Sequence, residues 1–367
     1  MNRKQGTDPG GPSKPYSVAQ RLRGHREGDP WEPPPYDEAS SESVASALAE
    51  DNGSTQVLYR HARRVLEEFF KSARSLSPCD TGALTDLACQ ITVMVLEDEA
   101  APPISLGVRK GRNPFLWTLL SEPQVADFVE HTLNATMLAA MLGAELGYQR
   151  QELTRLAITS LLQNVGMLYL VPTILNKRGG LWPDERALVE KHSETGAKFV
   201  RNLGPEWAPV ADVVYQVHER EGGQGYPRGL KGEDIHEHAK LIGLADVYMA
   251  MTHARPFRPA FTPFESLGEI VHKMAEQFSP RLLQTLWDVF SPVFVGRHVE
   301  LNTGWIGRIT EAKGLSPLRP VVELVFNSSG ERLEPSRRMD LTENPMVSIK
   351  QMVSEERAKR LLSRAAS

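Results

Sequence analysis

Cysteine is nearly missing from this chain: Cys79 and Cys89 are the only two among 367 residues. Two thiols cannot build the disulfide framework by which small secreted domains replace a core, and their scarcity suits a reducing cytoplasm. Long apolar runs are missing too. None approaches the ~18 residues needed to cross a bilayer. The opening stretch, MNRKQGTDPGGPSKP, holds no apolar segment of a signal peptide. Together these absences predict a cytoplasmic protein with no membrane span. Nor is there an excess of one charge: 42 Lys and Arg against 46 Asp and Glu leave a net charge of −4. That balance gives no footprint for DNA or RNA, and no nucleic-acid partner is expected.

What remains is ordinary for a globular chain, with 41% hydrophobic and 24% charged residues and enough length to bury a sizeable core. Residues 1–40 are broken by Pro9, Pro12, Pro15, Pro30 and Pro33 to Pro35. Such a segment buries too little apolar surface to offset its ordering entropy, so a disordered tail is expected, with PPPY a weak docking motif. From about residue 55 the period turns helical. Leu58, His61, Val65 and Phe69 share one predicted face, and Leu87, Ile91, Val95 and Leu96 another, with Asp80 as the N-cap between them. Residues 41–115 thus read as an N-terminal helical module.

Residues 116–292 read as helix after helix. Leu133, Met137, Met141 and Ala144 form one apolar stripe, and Leu153, Leu156, Ile158 and Leu161 continue in the next helix. Pro183 with Asp184 and Glu185 marks a further helix start. Beyond Pro292 the texture changes. Val295 to Leu301 and Trp305 to Thr310 flank Asn302-Thr303-Gly304, a hairpin signal, and Val321 to Phe326 reads as a third strand. A small β appendage is expected over 293–350, then a short basic helix from Ser354 to Arg364 within a 351–367 tail. The fold class is mainly α.

Taken singly, His131, His192, His218 and Asp246 are more readily core or surface residues than ligands, and none sits in a short motif such as HExxH. Their surroundings change the weighing. His218-Glu219-Arg220 runs through Gly223 into Gly225-Tyr226-Pro227, then Gly229-Leu230, Gly232 and Ile235. Ala245-Asp246-Val247, Thr252 and Arg255-Pro256-Phe257-Arg258 follow. Upstream stand Gly166, Pro172, Ile174-Leu175, Lys177, Gly180-Leu181, Glu185, His192 and Gly196. This ordered series resembles the HD-GYP family of the HD phosphohydrolase superfamily, over about residues 116–350.

The resemblance implies an HD-type helical bundle that hydrolyses cyclic di-GMP to pGpG or GMP with two or three metals, often iron or manganese. Clustered cations supply hydroxide near neutral pH and stabilise charge developing on the phosphate. It places metal ligands at His131, His192, His218 and Asp246, with Asp127 a possible addition. The chain departs from the family where the chemistry sits. Gln163 and Asn164 stand in place of the His-Asp doublet, Met167 in place of a lysine, Val217 in place of a histidine, and Met249 where an aspartate is common. Neutral amides replace an imidazole and a bridging carboxylate poorly. The expected cofactor is therefore none, or one divalent iron, manganese or zinc.

The family's phosphate-facing positions correspond to Lys240, Arg255 and Arg258, with Tyr226 available for stacking. The Gly225-Tyr226-Pro227 loop corresponds to one implicated in docking GGDEF-type diguanylate cyclases. The expectation is thus a degenerate, inactive member that binds cyclic di-GMP or a related nucleotide, or a scaffold for such a cyclase. The alternative is a phosphodiesterase with an altered metal site. An HDOD-like domain shares the helices and missing ligands but lacks the Gly-Tyr-Pro loop.

Overall fold

In a computed structural model of the protein, the residues described are 54–100, 103–104, 108–109, 127–175, 177, 179–253, 260–311, 318–353, 357–358 and 360–361. The expected disorder of residues 1–40, with PPPY, lies outside them.

Two helices come first, α1 (Ser54–Arg74) and α2 (Thr81–Ala100), and Asp80 caps the second by accepting from Ala83 N–H at 2.9 Å. The buried face of α1 is Leu58, Ala62, Leu66, Phe69, Phe70 and Ala73. His61 is exposed and Val65 half-buried, so the buried stripe lies about one position away from the expected one. A short antiparallel pair follows, β1 (Pro103–Ile104) and β2 (Val108–Arg109), which the sequence did not announce.

Helix α3 (Phe128–Glu145) is the centre of the bundle. Every residue from Thr132 to Ala144 is buried, so the expected single stripe is in fact the whole circumference, as befits a helix surrounded by others. It packs against α1, α2, α4 (Arg150–Leu162), α9 (Glu237–Thr252) and α11 (Pro280–Phe294). Between α4 and α9 lie a 3-10 turn (Val165–Tyr169), α5 (Pro172–Leu175), α6 (Pro183–Glu190), α7 (His192–Arg201) and α8 (Ala208–Val214). Pro183 opens α6 as expected, and Glu185 turns back to accept from Trp182 N–H at 2.7 Å. Helix α10 (Pro263–Lys273) precedes α11, with Thr262 and Glu265 forming a reciprocal cap.

The C-terminal part is a five-stranded antiparallel sheet of β3 (His298–Leu301), β4 (Ile306–Glu311), β5 (Val321–Phe326), β6 (Arg332–Asp340) and β7 (Ile349–Met352), in the order β6-β5-β4-β3-β7. The hairpin at Asn302-Thr303-Gly304 is present, with Gly304 at φ +82°, a conformation costly to a side chain. Strands β6 and β7 were not foreseen. β6 (RLEPSRRMD) is an edge strand with most of its length exposed, so nothing forces alternation, and Pro335 is tolerated at an edge. Residues 357–358 and 360–361 are helical, where a basic helix was expected, and Ala358 packs with Ile306, Phe326 and Val353.

Candidate functional site

Asp246 lies midway along α9, and the packing of α9 on α3 brings it to the first turn of α3. There His131 Nε2 stands 2.9 Å from Asp246 Oδ1. Asn164, just past the end of α4, donates from Nδ2 to the same oxygen at 3.0 Å. Burial alone would push the Asp246 carboxyl up. The His131 bond and field, with the Asn164 amide, outweigh it, and the group sits below the usual carboxylate range. Asp246 is therefore an anion held by two N–H donors.

A second pair stands beside the first. His192 opens α7, and its Nδ1–H donates to Val189 O at 2.6 Å, which leaves the Nε2 lone pair free in the neutral ring. That lone pair faces His218 Nε2 at 2.9 Å, in the turn that follows α8. Burial pushes His192 down, and burial together with the His192 ring pushes His218 well down, so both rings are neutral at pH 7. Asp246 acts electrostatically on both rings, which makes the two pairs one site.

The loop after His218 is folded tightly onto this site. Tyr226 N–H donates to His218 O at 3.1 Å, and the two rings stack with centroids 5.0 Å apart and planes 14° apart. A Cβ on Gly225 would lie 2.4 Å from His218 O, so only glycine admits the approach. The Tyr226-Pro227 peptide is cis. Glu219, 2% exposed, accepts from Arg228 N–H at 2.7 Å with Oε1 and from Leu230 N–H at 2.9 Å with Oε2. Arg220 is also enclosed, donating to Val217 O and Glu219 O and lying 5.5 Å from the Phe278 ring centroid. The roles of Glu219 and Arg220 were not foreseen, although both residues sit inside the run that drew attention to the loop.

The other expected positions divide. Gln163 is fully buried, and neither atom of its amide has a hydrogen-bond partner among the described residues. Val217 is fully buried and Met167 half-buried. Gly166 is held by contact, since a Cβ there would lie 2.0 Å from His192 O. Asp127, considered as an extra ligand, is instead the N-cap of α3, accepting from Glu130 N–H and pairing with Arg63. Lys240 pairs with Glu221 at 3.2 Å. Met249 is buried in α9. Arg255 and Arg258 lie outside the described residues. His253 packs edge-on to His131 at 5.7 Å and was not anticipated.

The donor set decides what cation these residues fit. A pair of divalent ions needs carboxylates to neutralise and bridge them, and Asp246 is the one carboxylate bonded into this cluster among the described residues, with Oδ1 already taking two N–H donors. The residues do not fit a multinuclear centre. Imidazole nitrogens with a carboxylate are donors of the kind that hold zinc. Among the described residues no group of three or more His, Cys, Asp or Glu is arranged to hold a metal.

Comparison with known proteins agrees with this architecture. Residues 118–282 match the HD domain family, and residues 298–361 match a KOW domain associated with HD domains. The chain is similar to the cyclic di-GMP phosphodiesterase PA4108 of Pseudomonas aeruginosa, with 28% identity over 80% of this chain and 68% of that one. It is 32% identical to the 3'3'-cGAMP-specific phosphodiesterase 1 of Vibrio cholerae, over 44% of this chain and 36% of that protein. Among solved structures, Bd1817, an HDG"Y"P protein from Bdellovibrio bacteriovorus, superposes with a TM-score of 0.53 over 68% of this chain and 78% of that one. At 16% identity that likeness speaks to the fold alone.

Proposed function

We propose that the chain, whose residues 118–282 match the HD domain family, is a catalytically silent HD-GYP-type member that serves cyclic di-GMP signalling in the cytoplasm by binding the nucleotide or a partner protein. The observation that carries this reading is the Asn164 amide on Asp246. Two carboxylates at that separation need a cation or a shared proton between them, whereas an amide and a carboxylate satisfy each other. The Asn164–Asp246 contact needs no metal, and on this reading the site lacks the paired cations that would supply hydroxide for phosphodiester hydrolysis.

Binding then rests on cations and ring contacts. Arg255 and Arg258 are the proposed phosphate ligands, suited to it by the planar fork of the guanidinium, with Lys240 alongside if it leaves Glu221. Tyr226 offers a base one ring face, because His218 covers the other. The Gly225-Tyr226-Pro227 loop is the proposed docking surface for a GGDEF-type diguanylate cyclase.

A second reading has one observation in its favour. His192 Nε2 and His218 Nε2, 2.9 Å apart, are spaced as neighbouring ligands of one divalent iron, manganese or zinc ion, with Asp246 and His131 near. On that reading the chain is a phosphodiesterase with an altered metal site. Calorimetry with cyclic di-GMP, paired with an assay for pGpG and GMP, separates the two. Binding without turnover supports the silent member. Steady turnover that vanishes in Asp246→Ala supports the enzyme, and neither binding nor turnover leaves the loop as a protein-docking surface.

A further inference from the structure

Helix α1 carries none of the site's side chains, yet it touches three of the segments that do: α3, the turn after Asn164, and α7. The Tyr59 hydroxyl donates to Asn134 Oδ1 at 3.1 Å. Asn134 is 5% exposed and three residues beyond His131, on the same helical face. Arg63 pairs with Asp127, the N-cap of α3, whose carbonyl in turn accepts from His131 N–H at 3.0 Å. Phe70 packs on Phe128, the first residue of α3, with centroids 5.0 Å apart. Farther along, Ala73 O accepts from the Tyr169 hydroxyl at 2.9 Å, at the end of the 3-10 turn that begins directly after Asn164. Phe69 meets Phe199 edge-on at 6.3 Å, on the helix that His192 opens.

These contacts differ in kind. The Arg63–Asp127 pair is half exposed and weak by itself. The Tyr59 bond is different, because removing the hydroxyl strands the oxygen of a buried amide one turn from His131. Resting on the nucleotide-site reading above, we propose that Tyr59 and Arg63 are positioning residues. They set where the first turn of α3, and with it His131, stands against Asp246. A partner that shifts α1 thereby changes the site without touching it.

The test uses the full chain with 15N-labelled histidine, read without nucleotide. In Tyr59→Phe/Arg63→Gln the Nε2 resonance of His131 is expected to move while those of His192 and His218 stay. Cyclic di-GMP affinity is expected to weaken by roughly two- to thirty-fold, the usual span for coupling through packed elements. Glu300→Gln, in the distant sheet, serves as the control for general destabilisation and should leave His131 unmoved. Tyr59→Phe alone and Tyr169→Phe give milder variants if the double one folds poorly. A His131 resonance that stays fixed in all three, or that moves equally in Glu300→Gln, overturns the proposal. Because the resonance is read in the free chain, a wild type that binds no cyclic di-GMP defeats the effector reading and leaves this one standing or falling on the shift.

Discussion

Asn164 gives Asp246 an N–H at 3.0 Å, at the position where the family resemblance implies a second carboxylate. An amide and a carboxylate satisfy each other there, where two carboxylates would need a cation or a shared proton.

Asn164→Asp should reverse the exchange. Two carboxylates would then share one buried corner, and the pair's upper pKa would rise above that of an unfolded aspartate. A carboxyl raised in the folded state costs stability as pH climbs past its unfolded value near ~3.9. The variant should lose on the order of 1–3 kcal/mol at pH 7 relative to the wild type, and less at pH 4. Manganese should recover part of the loss. Thermal melts at the two pH values, with and without the ion, check this, and equal melts throughout would refute it.

Metal content is the next measure. The wild-type chain should carry no more than one equivalent of iron, manganese or zinc by elemental analysis. The fourfold variant Gln163→His, Asn164→Asp, Met167→Lys, Val217→His should gain metal over that baseline. If it folds and gains none, the correspondence of these four positions with the family's ligands is mistaken.

Arg255→Ala/Arg258→Ala should abolish cyclic di-GMP binding while leaving the helical circular dichroism intact. Charge-assisted contacts contribute about 1.5–3 kcal/mol each, so losing two moves a micromolar ligand beyond ordinary reach. Unchanged affinity in calorimetry would show that the phosphates sit elsewhere.

Acid should expose the tie between the sheet and the end of the chain. Glu300 on β3 accepts from Lys350, Gln351 and Arg357. The Lys350 bond first, then those of Gln351 and Arg357, hold its carboxyl down at about 2. A depressed folded value stabilises fully above the unfolded value near ~4.3 and is lost as pH falls toward 2. Glu300→Gln should be less stable by about 1 kcal/mol at pH 7, a difference that shrinks as pH falls toward 2. A constant difference across that range would contradict the assignment.

Much of the helical architecture was legible because α3, α4 and α6 carry strong signals, an unbroken apolar register or a proline and acids at the start. The exposed β6 was hidden, since a strand wet on most of its length has no alternation to read. At the site, motif order located His131, His192, His218 and Asp246, and two pairs of them meet. What no sequence pattern could give was the partner of each atom. That Asn164 bonds Asp246, that Asp127 turns to cap a helix, and that Tyr59 reaches Asn134 follow from packing between segments 75 to 82 residues apart or from a local turn.

Glu219 spends both carboxylate oxygens on backbone N–H groups of the loop that carries Tyr226, and neither bond involves the His-Asp cluster. The loop is therefore held by Glu219 as well as by its contacts with His218. A protein that reads residues 225–230 meets backbone already tied down by these bonds, so association there removes less chain entropy. The bonds from Glu219 thus give residues 225–230 a fixed form that does not depend on the Asn164–Asp246 contact.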